Sequence, residues 1–177
     1  IPHDKLKESL RHKFKDPDLL WLLDVTIDSI AGGIGIPIGN YTSQYFGNFY
    51  LSGLDHFVKE KRDHAFYARY MDDVIVLHKN KKYLHYLRKE LDWYLTSKLG
   101  LQMKHNWQVF PTFKRGVDFL GYRSFGDYTL LRKSTAVKFK KKMVSIAAGK
   151  AIGVLKENCI ASYEGWLKWC DSFRLNM

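Results

Sequence analysis

Asp72 and Asp73 stand side by side in "FYARYMDDVIVLHK", residues 66 to 79, with apolar and aromatic residues on both sides. Adjacent carboxylates on a tight hairpin point in different directions. Both can still approach one divalent cation, or one can bind while the other steers. A buried carboxylate without a partner is costly, so a cation or a basic side chain should sit beside the pair. Hard oxygen ligands suit Mg2+, which keeps waters and takes substrate phosphates as its remaining ligands. Paired ions of that kind activate an attacking oxygen and stabilise a leaving one in phosphoryl transfer. A solvated β-turn uses the same residue type. The flanks "FYARY" and "VIVL" predict buried strands, which shifts the balance toward a chemical use without deciding it.

A second stretch, "GIPIGNYTSQ" (35 to 44), places Gly35 and Gly39 around a Pro and then opens a helix with polar residues. Backbone N–H groups at a helix start favour an anion, and Gly39 lets a flat base or sugar approach the backbone. The Lys-Ser/Thr ending of a phosphate-binding P-loop is absent, and an ordinary loop-to-helix connection accounts for the same residues. A third stretch is basic: positions 131 to 150 hold seven Lys or Arg and no acid. It reads either as a phosphate-tracking helix or as a solvated helix face.

The elements that must position these groups follow from periodicity. Residues 4 to 31 predict helices interrupted at Asp16-Pro17, where Pro opens a new first turn. Apolar residues at 46, 50, 54 and 57/58 predict a helix after the Gly-rich loop, capped by Asn40 or Thr42. Residues 65 to 70 and 74 to 78 predict a hairpin across Met71 to Asp73. Leu84, Leu87, Leu91 and Leu95 predict a helix over 81 to 98, with Gly100 as its C-cap. Residues 101 to 110 and 116 to 125 read as two more strands, split by a polar turn at 112 to 115. A basic helix is expected from Ser134. A last helix, about 158 to 172, is expected to carry Ile160, Tyr163, Leu167 and Cys170 on one face. Helices segregated from a small antiparallel sheet define an α+β fold.

The 177 residues suit about one domain, or one with an appendage. With 46% hydrophobic and 15% aromatic residues the chain can build a core. A formal net charge of +11 attracts polyanions, nucleic acid first among them. Two cysteines, Cys159 and Cys170, form no metal-ligand spacing and no disulfide framework, so a reduced, cytoplasmic chain is expected. No apolar stretch approaches the ~20 residues that cross a bilayer, so no membrane is expected as a partner. The start "IPHDKL" reads as if cut from something longer.

Taken together, the stretches resemble the palm of a bacterial reverse transcriptase. "YMDD" (70 to 73) matches that family's metal-binding motif C, and "GIPIGNYTSQYFGNFYL" (35 to 51) its motif B. "LGLQMKHNWQVFP" (99 to 111) resembles motif D, and "RGVDFLGYRSF" (115 to 125) resembles motif E, the primer grip. "SYEGWLKWC" (162 to 170) resembles the start of the thumb helices. The Ser43-Gln44 ending of motif B resembles the enzymes of diversity-generating retroelements, whose family trait is error-prone copying at adenines. Group II intron enzymes are the other near subgroup.

The resemblance implies a partial palm over 1 to 125 (motifs B to E) and the beginning of a helical thumb over 126 to 177. It implies an RNA-directed DNA polymerase working on an RNA template, a DNA primer and dNTPs, with two Mg2+ ions or Mn2+ in their place; whether an accessory protein joins it is left open by the sequence. Asp72 and Asp73 would be catalytic metal ligands, Asp72 the surer one. Gly39, Asn40, Ser43 and Gln44 would line the incoming nucleotide or its template base, and Tyr70 would sit beside the primer terminus. Phe119, Leu120, Gly121 and Tyr122 would grip the primer end, and Lys138, Lys140, Lys141 and Lys142 would track phosphates.

The family's fingers and its motif A aspartate are missing. "WLLDVTIDSI" (21 to 30) offers Asp24 and Asp28 but reads as helix and is rejected as motif A. Motif A is expected upstream of Ile1, and the chain by itself is expected to be inactive. Related intron enzymes place a Lys about where Trp107 stands. Lys104 is the nearest substitute, on the opposite strand face. A non-catalytic nucleic-acid-binding or defence scaffold with a relict palm, and a group II intron maturase-type enzyme, are the alternatives.

Overall fold

The computed structural model describes residues 1–37, 39–62, 66–149 and 154–171. Ile38 of the Gly-rich loop, Ala65 at the expected hairpin start and Ser172 at the expected end of the last helix lie outside them. The described residues form seven helices and two small antiparallel sheets, an α+β chain. It divides into two compact units, Ile1–Val109 and one that starts at Phe110.

In the first unit, helix α1 (His3–Lys13) is followed by α2 (Pro17–Asp28). Pro17 opens α2, and the Asp16 side chain caps it by accepting from the Leu19 N–H at 2.8 Å. The loop after α2 takes positive φ at Gly32, Gly33, Gly35 and Gly39. It is tied to the chain start by the Gly35 N–H, which donates to the Ile1 carbonyl at 2.8 Å.

Helix α3 (Tyr41–Arg62) is the spine of the unit. Its residues Phe46, Tyr50, Leu54, Phe57 and Val58 are all buried, as the 3.6-residue period demands. Phe46 and Tyr50 pack with Leu6, Leu10, Ile27 and Leu99. Leu54, Phe57 and Val58 pack with Leu87 and Leu91 of α4 (Lys81–Leu99). Burial pushes the Tyr50 hydroxyl up to about 12, and it donates to the Leu99 carbonyl. Asn80 caps α4 at its start, and Gly100, left-handed at φ 60°, ends it.

Between these helices lies the hairpin β1 (Tyr67–Tyr70) and β2 (Asp73–Val76), with Tyr70 opposite Asp73. The expected burial of both flanks is corrected here. Tyr67 and Val76 pack on the α3–α4 core, while Phe66, Tyr70, Val74 and Leu77 are exposed. A two-stranded ribbon laid on a helix pair has only one face to bury. The expected strand over 101 to 110 is also corrected: the segment has no ladder partner among the described residues and runs irregularly, with a turn at 105–106.

In the second unit, residues 112 to 115 are a one-turn helix, α5 (Thr112–Arg115), where a turn was expected. The single strand expected over 116 to 125 is instead a hairpin, β3 (Val117–Phe119) and β4 (Tyr122–Ser124), turning at Leu120-Gly121. A third strand, β5 (Thr129–Leu131), completes the meander and was not anticipated. Two helices follow, α6 (Lys133–Ala147) and α7 (Val154–Leu167). Phe139 of α6 is buried and meets Tyr163 of α7, ring centroids 5.0 Å apart. Among the described residues no helix is long and apolar enough to cross a membrane.

Candidate functional site

Tyr70 and Asp73 close the β1–β2 ladder, so Met71 and Asp72 alone make the turn. Met71 sits at φ 53°, a left-handed conformation that costs a side-chain-bearing residue about 1–2 kcal/mol. A positive φ at the first turn position is the place that ordinarily takes Gly. The turn therefore pushes both carboxylates outward at the tip of the ribbon: Asp72, Asp73 and Tyr70 are all exposed.

Asp72 is not alone. The Lys104 ammonium donates to its Oδ2 at 2.6 Å. That hydrogen bond and the lysine charge hold the Asp72 carboxyl below its ordinary value, and the same bond raises Lys104. The reach of Lys104 is set by its irregular segment. The Leu101 N–H donates back to the Leu95 carbonyl. Met103 packs into the α3–α4 core, and Trp107 lies under the Arg88 guanidinium, 4.5 Å from its ring centroid. Pinned on both sides, the segment delivers Lys104 to the turn. Both partners are mostly exposed, at 71% and 67%, so the pair is weak and salt-screened. It satisfies Asp72 without sealing it.

The turn is held from behind by a group that periodicity did not single out. Arg69, its side chain 8% exposed, forks onto Asp55 of α3, with Nε to Oδ1 at 2.7 Å and Nη2 to Oδ2 at 2.6 Å. Its Nη1 donates to the Met71 carbonyl at 2.9 Å and to Asn48 Oδ1 at 3.2 Å. The Tyr67 hydroxyl also donates to Asp55, at 2.7 Å. Burial pushes the Asp55 carboxyl up, but the bonds from Arg69 and Tyr67 and the guanidinium charge together bring it below its usual value. Burial, reinforced by Asp55, raises Tyr67. The signal in the sequence was a charge at an inward strand position of "FYARY" and another inside the apolar "SGLDHF".

At the head of α3, Gly39, Asn40 and Gln44 are exposed. Nothing stands within 4 Å of where a Gly39 Cβ would be, so the surface above that backbone is open. Ser43 is buried, and its hydroxyl donates to the Pro37 carbonyl, closing the loop onto the helix. Tyr41 and Tyr45, neither singled out by spacing, are 89% and 81% exposed beside them.

In the second unit, Phe119, Leu120, Gly121 and Tyr122 form the β3–β4 turn and its flanks. Leu120 and Gly121 are both left-handed, at φ 51° and 87°. The Gly121 carbonyl accepts from the Arg132 N–H at 2.8 Å. A Cβ on Gly121 would stand 2.5 Å from the Trp166 ring, and the Tyr122 hydroxyl donates to the Trp166 carbonyl at 3.1 Å. Lys138, Lys140, Lys141 and Lys142 are exposed on α6, with no carboxylate in ion-pair reach among the described residues.

Asp24 and Asp28 lie on helix α2, as their spacing predicts, and pair with Arg11 and Lys7. Asp72 and Asp73 are the right donors for a hard cation but few in number. Among the described residues no group of three or more His, Cys, Asp or Glu side chains could hold a metal ion. No protein-family profile matches the chain, and no curated protein matches it as a relative.

Proposed function

We propose that this chain carries the carboxylate turn and the primer-holding turn of an RNA-directed DNA polymerase. The observation that carries the reading is the Met71-Asp72 turn: a strained, two-residue hairpin that projects two adjacent carboxylates and is braced from behind by a buried arginine. Backbone strain of this kind persists only where surrounding structure over-determines it, and it gathers at functional sites.

Asp72 and Asp73 would hold Mg2+, or Mn2+ in its place, with a further carboxylate from outside the described residues. The ions, when bound, would polarise the reacting phosphate and neutralise its charge. The chain's own contribution is placement. Asp72 and Asp73 face outward on a stiff turn. Gly39, Asn40 and Gln44 offer an open backbone and amide groups to a nucleotide or template base, on a loop that Ser43 closes. Tyr70 would stand beside the primer terminus, Phe119 to Tyr122 would hold the primer end, and the α6 lysines would meet phosphates without reading sequence.

In the full-length protein, Asp72→Asn and Asp73→Asn are expected to abolish Mg2+-dependent extension of a DNA primer on an RNA template while leaving RNA binding in place. Extension that survives both substitutions overturns the reading. One observation favours a second reading, a nucleic-acid-binding scaffold with a relict palm: Lys104 already satisfies Asp72. Unimpaired biological function in both variants would select it.

A further inference from the structure

We propose that Arg69, with Asp55 and Asn48, is a positioning residue that sets where the Asp72–Asp73 turn stands relative to the head of α3. The inference rests on the polymerase reading of the carboxylates. An arginine needed only to neutralise Asp55 would be satisfied by the fork of Nε and Nη2. Here the third nitrogen is committed as well. Nη1 splits between the Met71 carbonyl, inside the strained turn, and Asn48 on α3. One planar group thus connects the turn backbone to two points on the helix.

The helix points are informative. Gln44, Asn48 and Asp55 are spaced by four and seven residues, so they share one face of α3. Gln44 is exposed at the head of that face, in the group assigned to the nucleotide side. Fixing Met71 to Asn48 and Asp55 therefore fixes the carboxylate turn along the same rod that carries Gly39 to Gln44. A lysine at 69 would keep the charge but not the fork, since its ammonium is a single point without planar, parallel donors.

The test uses residues 1–177 and Mn2+ alone as the probe, read by paramagnetic broadening of amide signals. Met71 backbone shifts and its amide–Hα coupling report the turn without metal. In the parent chain, broadening is expected to centre on residues 71 to 73. In Arg69→Lys, the Met71 signals are expected to leave left-handed values. The Mn2+ concentration for half-broadening should rise about tenfold, the scale on which supports behind a metal ligand act. Asn48→Ala, on an exposed residue, should move both readouts in the same direction by less, and it decides the matter if Arg69→Lys does not fold. Broadening in the parent that neither variant changes overturns the positioning role and leaves the polymerase reading standing. No broadening at 71 to 73 in the parent overturns the reading itself, and the positioning role with it.

Discussion

The two units each present a two-residue hairpin turn whose first residue has a positive φ, and they hold those turns by different means. At Met71-Asp72 the brace is polar: an arginine fork, an asparagine and a helix aspartate behind a turn that carries charge. At Leu120-Gly121 the brace is packing: the Trp166 ring fills the space against Gly121, and one tyrosine hydroxyl adds a bond. Hydrogen bonds fix direction, which suits a turn that must aim carboxylates. Close packing fixes distance, which would suit the proposed role of that turn against a primer's backbone. The difference predicts that the first turn fails by loss of a charge partner and the second by gain of a methyl group.

The largest expected effect comes from removing the polar brace. Arg69→Met leaves Asp55 without its guanidinium and should cost on the order of 3 kcal/mol in chemical denaturation, the lower end for breaking a buried pair because Asp55 is 29% exposed. A loss inside the noise of the measurement would show that the turn needs no latch. Gly121→Ala should come next, at about 2–3 kcal/mol, combining a left-handed penalty with overpacking against the indole. In a Trp166→Ala background the same change should shrink toward the left-handed penalty alone. Strict additivity of the two would remove Trp166 as the brace.

Met71→Gly sharpens the contrast from the other side. Relief of the strained φ, offset by glycine's chain entropy, should leave stability within about 1 kcal/mol of the parent. A larger loss would mean that the Met71 side chain, not its backbone, holds the turn.

Much of this organisation was legible in the sequence. The leucine and aromatic periods of α3 and α4, the Asp16-Pro17 start and the Gly100 stop each rest on local chemistry, and each stands in the structure. The carboxylate pair was visible because two charges interrupt an apolar run. What was not legible depends on partners distant in sequence. Residues 101 to 110 alternate like a strand, yet no strand among the described residues offers them a ladder, and Met103 and Trp107 are fixed by α3 and α4 instead. "VDFLGYRS" reads as one strand until Leu120-Gly121 folds it back. Arg69 looked like a strand residue because its four acceptors lie on Met71 and on a helix 14 and 21 residues earlier.

Acid should reveal the polar brace by sign. Asp55 titrates lower in the folded chain than its ordinary value, so its contribution is present above about pH 3.9 and is lost as pH falls through the lowered value. Asp55→Asn should flatten that acid limb of a stability-versus-pH curve. An unchanged limb would take Asp55 out of the account. The smallest effect is expected at the surface. Lys104→Ala frees Asp72 from an exposed pair, so Mn2+ binding should tighten by a few-fold with no change in stability, and weaker binding would make Lys104 a helper of the cation rather than its competitor.

The claim that the Met71-Asp72 turn exists to present a cation site is tested most directly by anomalous diffraction from crystals of this chain soaked in Mn2+. The expected result is a manganese peak bonded to Asp72 and Asp73 carboxylate oxygens, with the Lys104 ammonium displaced from Asp72. A map with no peak there at saturating Mn2+, and Lys104 still on Asp72, would contradict it.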